Sequence, residues 1–157
     1  MTNSGYSKSE AESNTGNSNR EAFRLDHRLV NDTIYLGRLQ LCEVLLFDDA
    51  RYDWLILVPA VADTVEFLDL SPAQQQQLAG EVQQVAGVLK KTGRGDKLNV
   101  GALGNVVKQL HVHLLLRHDQ DPAWPGPVWG HSPAVRYAAY EQADIAGRWV
   151  QRLQLKA

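Results

Sequence analysis

The sequence predicts an α+β domain: an antiparallel sheet of about five strands, a long helix after the third strand and a second helix at the C-terminus. Three observations carry this. Three short segments rich in aliphatic and aromatic residues follow one another before residue 60, as strands do. A capped stretch with helical periodicity follows over 72–91, and two more strand-like segments then precede a helical C-terminus. Strands grouped apart from helices suit α+β rather than a regular βαβ alternation. At 157 residues the chain has one domain's length and can bury roughly 70% of its unfolded surface.

Residues 1–20 contain thirteen Ser, Asn, Thr or Gly and no Val, Ile, Leu, Phe or Trp. So little apolar surface cannot offset ordering entropy, and a disordered tail is expected, with the domain over 21–157. Asp32 to Gly37 and Leu41 to Asp48 read as the first two strands. A polar turn, 48–53, leads into Trp54-Leu55-Ile56-Leu57-Val58-Pro59, a continuous apolar run that suits a strand buried on both faces. Pro59 closes it. Ser71-Pro72 is a hydroxyl N-cap followed by proline at the first helical position, so a helix is expected from there to Lys91. Leu78, Val82, Val85 and Leu89 form its apolar face, Gln74 to Gln77 a solvated one, and Gly93 its terminator. Lys97 to Val100 and Gln109 to Arg117 supply two further strands. Ile145, Trp149, Val150 and Leu153 stand at helical spacing, which predicts the final helix over 140–154.

Composition narrows the function. A formal net charge of −2 argues against general nucleic-acid binding, which draws on excess Lys and Arg. Cys42 is the single cysteine, so the chain carries no internal disulfide framework, and a reducing cytoplasm fits. No apolar run is long enough to span a membrane, and the N-terminus lacks a signal peptide's apolar stretch.

The most informative segment is Gln109-Leu110-His111-Val112-His113-Leu114-Leu115-Leu116-Arg117. Strand alternation puts Leu110, Val112, Leu114 and Leu116 on one apolar face, and Gln109, His111, His113, Leu115 and Arg117 on the other. That second face is open to two uses besides plain solvent exposure. Histidine serves as base, acid or nucleophile near neutral pH, and the planar fork of Arg117 suits an anion. A His-x-His pair also binds zinc, but a third ligand is not supplied locally: His118 has the wrong parity, and His27 and His131 are distant.

His111-Val112-His113-Leu114, with the apolar residues after it, resembles the histidine-triad signature, His-φ-His-φ-His-φ-φ with φ apolar. The order of elements over 33–130 is similar too, and 121–130 (DPAWPGPVWG) resembles a bacterial branch that keeps two of the three histidines. The resemblance implies a histidine-triad-like fold and, by family habit, a homodimer. It also implies hydrolysis or transfer of nucleotidyl groups from dinucleoside polyphosphates or nucleoside phosphoramidates, with a purine nucleotide as the expected ligand. The second motif histidine, here His113, is the implied nucleophile, forming a nucleotidyl-histidine that water resolves; His111 positions it and contacts phosphate. No metal or other cofactor is implied. Backbone N–H groups near Val107 and Lys108, with Gln109 and Arg117, are the expected phosphate donors.

Two more positions match. Phe47-Asp48-Asp49 resembles the family's turn whose acidic residue binds ribose hydroxyls, a role that spacing gives to Asp49, with Asp48 the alternative. Asn99 falls on the strand where members carry an asparagine near the phosphates. Two positions depart: the third motif histidine is Leu115, and a further family histidine is Trp54. Turnover could then be slower, rely on Arg117 and Gln109, or be lost, leaving a nucleotide-binding protein. Trp124 and Trp129 either line the ligand pocket or a dimer groove, or anchor a rigid loop.

Overall fold

The computed structural model describes residues 23–155. The expected disordered tail, 1–20, lies outside them. Five strands form one antiparallel sheet: β1 (Thr33–Arg38), β2 (Cys42–Phe47), β3 (Trp54–Pro59), β4 (Lys97–Gly101) and β5 (Val112–Arg117), in the order β1-β2-β3-β5-β4. Among the described residues the helices are α1 (His27–Asp32), α2 (Pro72–Thr92) and α3 (Ala139–Leu153), with a 3-10 turn at Phe67–Asp69.

The expected elements are present, and their differences in extent have local causes. Residues 27–32 form a six-residue helix whose N-cap, Asp26, accepts from the Arg28 N–H, so β1 begins after Asp32. Such a segment is too short to display helical periodicity. The last strand starts at Val112 rather than Gln109, because the Leu110 N–H donates to Thr64 O, outside the sheet. Ser71 caps α2 as its sequence requires, with Gln74 closing the reciprocal hydrogen bond. The other glutamines depart from expectation. Gln75 donates to the Phe67 and Leu70 carbonyls and Gln77 to Glu81, so only Gln76 presents a plainly exposed face.

The strand β5, between β3 and β4, is buried on both sides. Leu114 and Leu116 face the helical layer, where Leu78, Val85 and Leu89 of α2 meet Trp149 and Leu153 of α3. The opposite face carries Leu45, Trp54, Ile56 and Leu115, covered by Leu29 of α1 and by Val107, Ala123 and Val128 from loops. The polar face expected of the histidine strand is thus roofed by chain rather than open to water. Burying both faces of one sheet makes the molecule three layers deep, with the histidines between sheet and roof.

Candidate functional site

β5 pairs with β3 so that His113 lies opposite Ile56, and Leu115 opposite Trp54. Trp54 and His113 are therefore diagonal neighbours on one face, close enough for side-chain contact. Across the other edge, His113 faces Gly101 of β4. A β-carbon on Gly101 would come within 3.1 Å of the Trp129 ring, so glycine there makes room for that indole. Trp129 in turn packs edge-on against His113 and Trp54, at 5.8 and 6.2 Å between ring centres.

Trp54, Ile56, His113 and Trp129 line a cavity of about 470 Å³, within the range of small-molecule sites. Its wall combines His111 and His113 with Asp49, Arg28 and Arg51, the loop Leu103 to Val107, and apolar groups from Leu29, Phe47, Ile56 and Val128. Gly104 turns that loop with φ of +68°, a conformation that favours glycine.

The two histidines are wired in opposite senses. His111 Nδ1 lies 2.7 Å from the carbonyl oxygen of Gln109. A carbonyl only accepts, so this nitrogen carries the proton and Nε2 keeps a lone pair in the neutral ring. His113 Nδ1 instead receives the indole N–H of Trp54 at 3.0 Å. An indole only donates, so here Nδ1 holds the lone pair and Nε2 carries the proton. His113 is 7% exposed, and burial, followed by the repulsion of His111, pushes its imidazole down to about 3.

Of the remaining expected residues, Asp49 lines the cavity, its carboxylate held by Arg51 Nε and Nη2 at 2.8 and 2.6 Å. Asp48 does not line it: the carboxylate turns to the Tyr137 N–H and Arg136. Arg117 and Asn99 do not line the cavity. The Arg117 side chain is 2% exposed, and its Nε and Nη2 donate to Asp121 at 2.6 and 2.8 Å. Nη1 donates to Asn99 Oδ1 and Nη2 also to the Gly126 carbonyl. Parity carries Arg117 to the expected face, but the carboxylate of Asp121 four residues on claims it for the roof. Gln109 is likewise spent on the chain, accepting from the Asp26 N–H and donating to the Arg24 carbonyl. Val107 lines the cavity and Lys108 does not. Trp129 lines it, while half-exposed Trp124 stacks on the Arg117 guanidinium at 5.8 Å, so the two tryptophans divide the expected roles.

Arg28, Arg51 and the loop residues Leu103 to Val106 are wall groups that sequence reasoning missed; no local pattern marks them. One missed signal was readable. Counted from Gln109, the segment Gln109-Leu110-His111-Val112-His113-Leu114-Leu115 fits the signature with glutamine in the first place and Leu114-Leu115 as its closing apolar pair. His111 then occupies the second position. Among the described residues, no group of three or more His, Cys, Asp or Glu is placed to hold a metal. His27, His118 and His131 lie off the cavity wall.

Comparison with known proteins agrees with this geometry. The HIT domain family model matches residues 28–120. A histidine triad protein from Sinorhizobium meliloti is 45% identical, covering 85% of this chain and 98% of its own, with a TM-score of 0.80. One from Marinobacter aquaeolei is 44% identical over 86% of this chain and 99% of its own, with a TM-score of 0.81. A hypothetical histidine triad nucleotide-binding protein from Sulfolobus tokodaii shares the fold at 14% identity, over 80% of this chain and 89% of its own, with a TM-score of 0.57. No protein of curated function matches the sequence. A five-stranded sheet in this order, a cavity floored by the His-x-His strand and a family match over most of the domain have one common reading: the chain belongs to the histidine triad (HIT) family.

Proposed function

We propose that the protein is a nucleotide-phosphate hydrolase or nucleotidyl transferase acting on dinucleoside polyphosphates or nucleoside phosphoramidates, with His111 as the nucleophile. The observation that carries the assignment is the contact between His111 Nδ1 and the Gln109 carbonyl, which leaves Nε2 with its lone pair. This exchanges the roles first expected for the pair. His113, protonated on Nε2, becomes a donor to the phosphoryl oxygens.

In the first step the His111 Nε2 lone pair attacks the α-phosphorus. The leaving group departs with the electron pair of its bond to phosphorus. The nucleotidylated ring is then cationic, and its Nδ1–H···O=C bond to Gln109 stabilises that charge. Water next attacks phosphorus and the P–N bond breaks, returning its electrons to Nε2. The water's proton leaves, and a nucleoside monophosphate is released. Splitting one displacement into two is ordinary covalent catalysis. On the cavity wall Arg28 favours an anionic substrate, whereas Arg51 is spent on Asp49, Ser132 and the Pro133 carbonyl. Asp49 keeps acceptor capacity for ribose hydroxyls, and Leu29, Phe47, Ile56 and Val128 suit the faces of a purine. Metal is not needed for this step, and the tautomers leave the pair only one outward lone pair to offer a cation.

We place the activity in the cytoplasm, where a chain with one buried cysteine is at home, and in a homodimer, for which β4 is an open sheet edge among the described residues. No helix among the described residues is long and apolar enough to cross a membrane.

The test is turnover of diadenosine polyphosphates and an adenosine phosphoramidate, with and without chelator, beside His111→Ala and His113→Ala. Chelator-resistant turnover, abolished in His111→Ala and reduced in His113→Ala, is expected. Mass spectrometry of the quenched wild type should show one added nucleotidyl group, absent from His111→Ala. Binding without turnover would leave a nucleotide-binding protein. Adduct on His113 would restore the first expectation.

A further inference from the structure

Trp54 stands where the family resemblance puts a histidine, and the substitution changes the kind of hydrogen bond available. A histidine both donates and accepts; an indole N–H only donates. We propose that Trp54 is a positioning residue that fixes His113 in its Nε2–H tautomer, making this histidine a permanently neutral hydrogen-bond donor to phosphate rather than a group that exchanges protons. The phosphate half rests on the function proposed above; the tautomer half does not.

The indole is itself held. Its ring sits 4.4 Å from Phe47 and edge-on to Tyr52 at 6.1 Å, and it is 4% exposed. It meets His113 edge-on at 5.5 Å between ring centres while Nε1 reaches Nδ1 at 3.0 Å. A proton added to His113 would have to enter on Nδ1, directly against the indole N–H. Nothing on the packed elements offsets that cost. β3 presents Trp54 and Ile56, β4 presents Gly101 and the roof presents Trp129. The titratable neighbour is His111, at 4.8 Å between rings. Asp49, Asp32, Arg28 and Arg51 are the charged groups on the same wall. Asp49 is already paired with Arg51, and Asp32 with Arg136. The departure from the family pattern therefore supplies a donor whose strength does not vary with pH.

The experiment is NMR of ring-labelled histidine in the full chain without ligand, following tautomer and protonation of His113 with pH, in wild type, Trp54→Phe and Trp129→Phe. Both variants shrink an aromatic packed on His113, but only Trp54→Phe removes a hydrogen bond. In wild type, His113 should show the Nε2–H pattern and no titration near the ordinary imidazole value of about 6.5. Trp54→Phe should move its titration upward by a unit or more, and Trp129→Phe should keep the wild-type tautomer. An Nδ1–H pattern in wild type, a wild-type titration near the ordinary value, or the two variants behaving alike would overturn the proposal. Should Trp54→Phe not fold, the wild-type tautomer still decides. These outcomes are independent of turnover, so failure here and failure of the proposed reaction are separable.

Discussion

A neutral His113 at the floor of the cavity has a cost that pH should reveal. Its folded value, about 3, lies below the unfolded value of about 6.5. Between those values the unfolded chain binds a proton that the folded chain does not, so stability rises with pH across the window. The contribution is complete above about 6.5 and is lost as pH falls toward the folded value, with a slope approaching about 1.4 kcal/mol per pH unit. Urea titrations at several pH values should show this slope, and His113→Asn should flatten it. The same residue shows what the sequence holds at this scale. That a His-x-His pair shares one face of its strand is legible from side-chain types and parity. Which nitrogen of each ring is free is not, because it depends on a carbonyl two residues back and on an indole 59 positions away.

At the scale of elements, the roof over 118–135 is tied down by Arg117 and Asp121, whose side chains are 2% and 0% exposed. Burial opposes the Asp121 charge, but the Arg117 guanidinium and the Ala123 and His118 N–H groups hold its carboxyl below the usual range. Asp121→Ala strands a buried cation and should destabilise by about 3–5 kcal/mol in denaturant titration. Arg117→Lys should lower Tm while leaving KM for an anionic substrate nearly unchanged, since Arg117 touches the roof and not the cavity. β4 offers a second test. Gly101→Ala intrudes on Trp129, which must shift by a few tenths of an ångström, and the effect should appear in KM and Trp fluorescence before stability. Parity alone assigned Arg117 to the ligand. It could not register that an acidic residue one turn of loop away would compete for the same guanidinium.

Across the whole molecule, both cores are built on the same three inner strands, β2, β3 and β5. Val44 and Leu46 point to the helices while Leu45 points to the cavity side, and each strand repeats the alternation. Neither layer can lose its sheet without exposing the other. Unfolding should therefore be a single transition, with tryptophan fluorescence, to which Trp54 and Trp129 on the cavity face and Trp149 in the helical core all contribute, coinciding with far-UV circular dichroism in urea. Leu114→Ala, at 0% exposure, should lower the midpoint by about 2–5 kcal/mol equivalent on both probes together. Two non-coincident transitions would show that the roof and its cavity melt separately.

By itself the sequence determined the element order, the cap and span of the long helix, the apolar face of the histidine strand and the family. Each of these is written in neighbouring residues, as a period, a cap or a short motif. The tertiary structure alone decided which polar groups face the cavity. Arg117, Asn99 and Gln109 were claimed by partners within the chain, while Arg28 was brought to the wall from a segment without a motif. Hydrogen-bond partners are chosen by proximity in space, and a buried polar group takes whichever partner the packing brings to it. Only the folded chain sets that proximity.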